Sequence, residues 1–247
     1  MPTWAYAADA APVAGAASAR PEPFSDLDKS PETARTFDAT PTGRHVDFGA
    51  SFIFVSPVSN SLEEAPPTLR YDPGSGLGVS GRIVILPYLH AALVFSWAAH
   101  GLDIDRGALG VPGGLSGGPL TSYRLELHVL PTLPIGERVR LFGLAGLGWG
   151  RLEIGVMQGA GEAGSFLVRE RGASYFDVPL GIGASIALLP NWLSLDAMLW
   201  GSPTFAKKGT AHTSIQAFDG AGEPRTVGPL PEVPVWFTQS VGLSLLL

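Results

Sequence analysis

From Ser122 to Val129 the chain reads Ser-Tyr-Arg-Leu-Glu-Leu-His-Val, an unbroken alternation of polar and apolar residues. A period of two sends Ser122, Arg124, Glu126 and His128 to one face of a β-strand and Tyr123, Leu125, Leu127 and Val129 to the other. Other segments repeat the split, and eight strands are predicted in all. They are His45–Val55, Leu77–Leu86, Leu89–Ala99, Leu120–Leu130, Arg138–Arg151, Ser174–Leu188, Leu193–Ser202 and Val233–Leu247. In the first, Val46, Phe48, Ala50, Phe52 and Phe54 oppose His45, Asp47, Gly49 and Ser51.

The connections alternate in length. Ser56–Gly76, Gly101–Gly118, Gly155–Gly172 and Pro203–Glu232 are long, whereas Pro87–Tyr88, Pro131–Glu137 and Leu189–Trp192 are short. All the long loops therefore fall at one end of the sheet and both chain ends at the other. A soluble meander has no reason to segregate its loops, whereas outer-membrane barrels have short periplasmic turns and longer outer loops. Strands of about 10 to 14 residues suffice for a tilted crossing of the roughly 25 Å apolar band. The fold class expected is all-β, an eight-stranded antiparallel up-and-down transmembrane β-barrel with a disordered N-terminal segment.

Composition supports this picture. Of 247 residues, 45% are hydrophobic and 15% charged, and mean hydropathy is +0.22. Yet no apolar run reaches the roughly 18 residues that a spanning helix needs. A membrane barrel reconciles the two facts, because only every second residue meets lipid. The absence of Cys excludes disulfides and thiolate metal sites. A net charge of -6, with no basic stripe, argues against nucleic acid as a partner.

The N-terminal region is expected to be a separate segment, residues 1–44, ahead of a barrel at 45–247. Ala5-Tyr6-Ala7 and Ala8-Asp9-Ala10 have the small-x-small form of a signal-peptidase site without the basic and apolar regions that precede one. The reading is a truncated export-signal remnant followed by a disordered linker rich in Ala, Pro, Ser and Thr. Ser30-Pro31-Glu32 could start one short helix there.

Energy decides which face points inward. An Arg or Lys facing lipid at mid-bilayer costs about 2–4 kcal/mol, so the face carrying Arg must line the lumen. That places Asp47, Glu126, Asp177 and Asp196 inside with Arg82, Arg124, Arg138 and Arg140. An eight-stranded lumen is only wide enough for side chains. The eight charges are expected to pair into a network that closes it. Tyr123, Trp149 and Trp97 are candidates for an interfacial aromatic girdle.

On this architecture the chain resembles the small outer-membrane barrels typified by the OmpA transmembrane domain, OmpX and OmpW. The resemblance covers residues 45–247 and implies a C-terminal strand read by the barrel-assembly machinery. Phe237, Val241, Leu243, Leu245 and Leu247 supply the alternation such a strand carries, although its last residue is Leu247 where an aromatic is usual. Outer-membrane lipids and lipopolysaccharide are the implied partners, a monomer is expected, and no cofactor is called for.

Candidate chemistry changes this little. The glycines at 143, 146, 148 and 150 lie in a strand with no helix after them, so a dinucleotide loop fails its context. His45, His90, His100 and His128 are too dispersed to be expected as metal ligands, with His45, His90 and His128 placed near the periplasmic end. Some barrels of this size are lipid A-modifying enzymes that use Ser and His. Here Ser122 and His128 stand about 20 Å apart along one strand. Arg151, Arg169, Arg171, Lys207 and Lys208 fall near the outer rim and are candidates for lipopolysaccharide phosphates. The function expected is a non-enzymatic barrel with a structural or surface-interaction role, acting through mobile outer loops. An OmpW-like conduit for small hydrophobic molecules is the main alternative, and a lipid A-modifying enzyme a lesser one.

Overall fold

The computed structural model describes residues 46–58, 69–104, 115–161, 164–212, 215–219, 221–228 and 233–247. The export-signal, linker and short-helix readings of residues 1–44, and His45, lie outside the described residues. Among the described residues fourteen strands follow in order: β1 (Val46–Val58), β2 (Leu69–Tyr71), β3 (Gly74–Leu86), β4 (Leu89–Ile104), β5 (Leu115–Ile135), β6 (Val139–Ile154), β7 (Met157–Gly161), β8 (Gly164–Val168), β9 (Arg171–Asp177), β10 (Leu180–Leu189), β11 (Leu193–Gly209), β12 (Ile215–Asp219), β13 (Pro224–Gly228) and β14 (Val235–Leu246).

Eight staves close a ring. β1, β3, β4, β5 and β6 pair antiparallel in sequence, and β6 pairs with both β9 and β10, which pair in turn with β11. β11 pairs β14, and β14 returns to β1. Closure leaves no sheet edge inside the apolar band, which lipid would not tolerate. β9 and β10 form one stave interrupted at Val178–Pro179. The lost ladder bonds are replaced there by Val178 N–H to the Pro203 carbonyl (3.1 Å) and Gly146 N–H to the Pro179 carbonyl (2.9 Å).

The faces sort as the arginine energetics require. On β5, Leu125, Leu127 and Val129 are 45%, 55% and 44% exposed, while Arg124, Glu126 and His128 between them are at most 1% exposed. Trp97 and Tyr123 stand opposite one another on β4 and β5, Trp149 pairs with Phe176, and Phe176 stacks on Phe205 at 6.1 Å. These outward aromatics form the outer girdle, and the exposed rings of Tyr88 and Trp192 mark the periplasmic side. The ten residue steps from Tyr123 to Leu133 span roughly 26 Å of height for a strand tilted by about 40°.

The strands outrun the sequence boundaries. β4 and β5 extend to Ile104 and from Leu115, and β11 runs to Gly209. Two of the loops expected to be mobile carry hairpins, β7–β8 and β12–β13, which pair through β8 and β12 into a second, four-stranded sheet. The expectation fails because these short strands lack sustained alternation: Met157–Gly161 reads MQGAG. The polar stretch after β1 also yields a strand, with Tyr71 of β2 opposite Leu102 of β4.

Candidate functional site

Near the periplasmic end, Asp47 and Arg82 occupy opposed positions on β1 and β3. Arg82 Nε donates to Asp47 Oδ2 at 2.8 Å, and its Nη2 lies 3.7 Å from Asp196 Oδ2. Asp196 belongs to β11, two staves beyond β1, so this arginine reaches across the lumen. Ser244, on the neighbouring stave, donates a hydrogen bond to Asp196. Half-buried Arg140 feels the fields of both Asp47 and Asp196. Buried His90 sits in the field of Arg82, Arg140 and Asp47. Two acids thus face two bases.

Arg138 does not join them. It lies in the turn between β5 and β6, where it is exposed, and its backbone carbonyl accepts the Ala187 N–H. Alternation gives it lumen parity, but parity has no meaning one residue outside the strand.

At mid-height, Arg124, Glu126 and His128 lie successively on the inward row of β5. Arg124 Nη1 is 3.7 Å from Glu126 Oε1, and His128 Nε2 is 3.1 Å from Glu126 Oε2. His128 is therefore central, not periplasmic as the sequence suggested, and its ring meets the edge of Trp200 at 6.1 Å. Arg124 Nη2 donates to Thr238 Oγ1 at 2.9 Å. Thr238 is on β14, four staves away and so diametrically opposite, which makes this bond a strut across the barrel. Asp177, fully buried, shares a row with Gly148 and Glu126. A Cβ at Gly148 would collide with the Asp177 carboxylate and crowd Glu126, so only glycine lets the two acids approach there.

The outer third of the lumen is different. Ile53, Val55, Leu102, Leu120, Leu152, Ile154, Tyr175 and Trp236 pack into one buried cluster that includes Met157 and Val168 from the hairpins. Tyr71 lies against Trp236 at 6.0 Å, and burial pushes its hydroxyl above the ordinary phenol range. Of the eight charges expected from sequence, the seven that point inward are thus confined to the lower two thirds. Three cavities within the lumen hold about 20 Å³ or less each, roughly the space of one water.

This outer cluster contains a contact that sequence reasoning missed. His100 Nε2 is 2.8 Å from Ser122 Oγ, and His100 Nδ1 is 3.4 Å from the Asp72 backbone oxygen. Ser and His at hydrogen-bond distance can form a nucleophile and base. Here both are at least 95% buried, and the imidazole packs on Trp236 at 5.5 Å. The register sets His100 opposite Leu120 and Ser122 opposite Ala98, so the two are diagonal neighbours across β4 and β5, and no spacing within the sequence relates positions 100 and 122. Among the described residues no group of three His, Asp or Glu side chains is placed to hold a metal ion.

The five rim cations separate. Arg151 and Lys208 both pair with Ser174, from opposite sides, so they face outward about 10 Å apart, just above the aromatic girdle. A bulge in β11 after Phe205, where Ala206 takes φ 50°, shifts Lys208 into this outward register. Arg151 also pairs with Glu153 at 2.7 Å. Arg169 is exposed and lies over the Phe218 ring, 4.9 Å from its centroid. Arg171 shares the inward row of Ala173, Tyr175 and Asp177. Lys207 lines a cavity with Tyr71, Tyr175 and Trp236. The last two are therefore corrected to inward positions.

No protein-family model matches the chain, and no curated protein matches it. Solved structures do. The outer-membrane protein OprG from Pseudomonas aeruginosa is 11% identical with a TM-score of 0.51, over 83% of this chain and 97% of that one. A major outer-membrane protein from Thermus thermophilus is 16% identical, TM-score 0.47, over 82% and 99%. Ail, the attachment invasion locus protein of Yersinia pestis, is 14% identical, TM-score 0.44, over 82% and 97%. The similarity to OprG establishes the fold as that of a bacterial outer-membrane β-barrel, in agreement with the apolar exterior.

Proposed function

We propose that this barrel is a non-enzymatic outer-membrane protein with a structural or surface-interaction role, closed to ions by its lumen side chains. The observation that carries the reading is the Arg124–Thr238 strut. It crosses the lumen at mid-height, flanked by Glu126, His128 and Trp200, each at most 1% exposed. An ion passing through would have to displace an arginine whose partners sit on opposite walls, in a medium where unpaired charge costs several kcal/mol.

The conduit reading needs a dry apolar channel. What lies above the strut is instead a packed cluster whose cavity holds about 10 Å³. A catalytic reading would rest on His100 and Ser122, which the same cluster encloses. Lipid A mass spectrometry with and without the protein tests that reading, and identical profiles are expected.

At the rim, Arg151 and Lys208 give two outward cations at the height of lipid phosphates, which supports lipopolysaccharide as a lipid partner. The β7–β8–β12–β13 sheet above them is the surface offered outward. Bilayer recordings of the purified full-length protein test closure. No unit conductance above baseline is expected from the wild type. Steady conductance steps at neutral pH would overturn the reading.

A further inference from the structure

The outer wall carries an open recess beside Gly143. It holds about 500 Å³ and is lined by Tyr88, Pro131, Leu133, Leu141, Gly143 and Ile182, with Thr132, Phe142 and Gly183 contributing its floor. Its origin is local. Gly143 of β6 stands across from Ile182 of β10, and Pro131 of β5 falls between the Val129–Ala145 and Thr132–Phe142 pairs. Every other outward position in this row carries a side chain, but position 143 carries none. Pro131 donates no N–H and interrupts the ladder beside it. A Cβ at Gly143 would come within 3.3 Å of Pro131 Cγ, so the hollow is set by the missing side chain.

The recess lies toward the periplasmic side. Tyr88, at its foot, is 60% exposed in the β3–β4 turn, and its carbonyl accepts the Thr132 N–H at 2.9 Å. Arg138 is exposed in the next turn, three residues before Leu141 and hence about 10 Å below it. Glu137 is the other charge in that turn. The arrangement runs from a guanidinium, past an interfacial phenol, into an apolar hollow. That sequence matches a phosphate, a glycerol region and an acyl chain.

We propose that this recess is a seat for one phospholipid of the periplasmic leaflet, its acyl chain over Gly143 and its phosphate on Arg138. The proposal rests on the membrane reading but not on lumen closure. Bilayer lipid is as apolar as Leu, so burial in the recess adds no transfer term. What holds the chain is closer packing against a fixed wall together with the charge-assisted phosphate contact. The effect expected is slower exchange of one lipid, not partitioning of many.

Native mass spectrometry of the full-length protein, released from vesicles containing phosphatidylglycerol into mild detergent, tests it. The wild type should retain one phosphatidylglycerol after the remaining lipid is stripped. Gly143→Leu, which fills the hollow, should reduce that retained fraction at least about threefold, and Arg138→Gln by a comparable factor. Ala50→Leu, on the outward face of β1, should leave it unchanged. Arg138 is in an exposed turn, so its variant reports even if the Gly143 variant fails to fold. Retention equal in wild type and both variants would overturn the proposal. So would loss of lipid in Ala50→Leu to the same extent, or faster entry of a small hydrophobic probe through the recess with lipid retention unaltered. Failure of the wild type to enter vesicles would instead strike the membrane reading itself.

Discussion

Leu125 and Arg124 are neighbours in sequence with opposite surroundings, one against lipid and the other 1% exposed in the lumen. Leu125→Arg should cost about 2–4 kcal/mol and impair assembly into vesicles. Arg124→Leu should still assemble, with the Thr238 strut lost. Folded yield in vesicles measures both, and equal tolerance would contradict the face assignment. Glu126 offers a sharper test, because Arg124 and His128 both lean on it. Glu126→Gln leaves a buried guanidinium without its counter-charge and should cost about 3–5 kcal/mol in urea unfolding. Asp177 is the converse: fully buried, and near Glu126 without an ion pair among the described residues. Asp177→Asn removes a like charge from that site and should raise the unfolding midpoint.

At the scale of elements, what alternation encodes is legible and what closure decides is not. Ser122–Val129 announces its two faces because each residue type obeys the period. The same rule gives Thr238, Ser240 and Ser244 an inward parity on β14. It does not tell that Thr238 meets Arg124, since that pairing follows from ring closure across 114 positions. Arg138 and Lys207 show the rule's limit. One lies beyond a strand end, and the other lies in a bulge that resets the register. The outer hairpins were invisible because Gly and Ala dominate β7, and their order comes from tertiary packing of Met157 and Val168 into the outer lumen cluster. The second sheet is joined at Phe218, which stands opposite Leu167 and under Arg169. Phe218→Ala should therefore loosen the sheet but not the barrel. Limited proteolysis is expected to cut between residues 157 and 228 earlier than in wild type, while the staves remain protected. Cleavage at unchanged rate would mean that Phe218 does not hold the sheet together.

The whole molecule combines an apolar wall, two girdles, a lumen of struts and an outer apolar plug. Each follows from one constraint: with lipid outside, charge can only point inward, and an eight-stranded lumen leaves it nowhere to go except onto other side chains. The wall's smooth face is broken at Gly143, and its outer margin carries Arg151 and Lys208 in one register. Arg151→Gln combined with Lys208→Gln should weaken association with lipopolysaccharide in reconstituted vesicles several-fold and make the remainder less salt-sensitive. Unaltered association would remove these two cations from the partner surface and leave the barrel account standing.

The chain has no Cys, so single spin labels can be placed anywhere without background. Substituting each residue from Ser122 to Val129 in turn by Cys, and measuring oxygen accessibility of the label in lipid vesicles, reads the central strand directly. The account predicts a period of two, with high accessibility at positions 125, 127 and 129 and low accessibility at 124, 126 and 128. Uniform accessibility, or the same alternation with inverted phase, would contradict it.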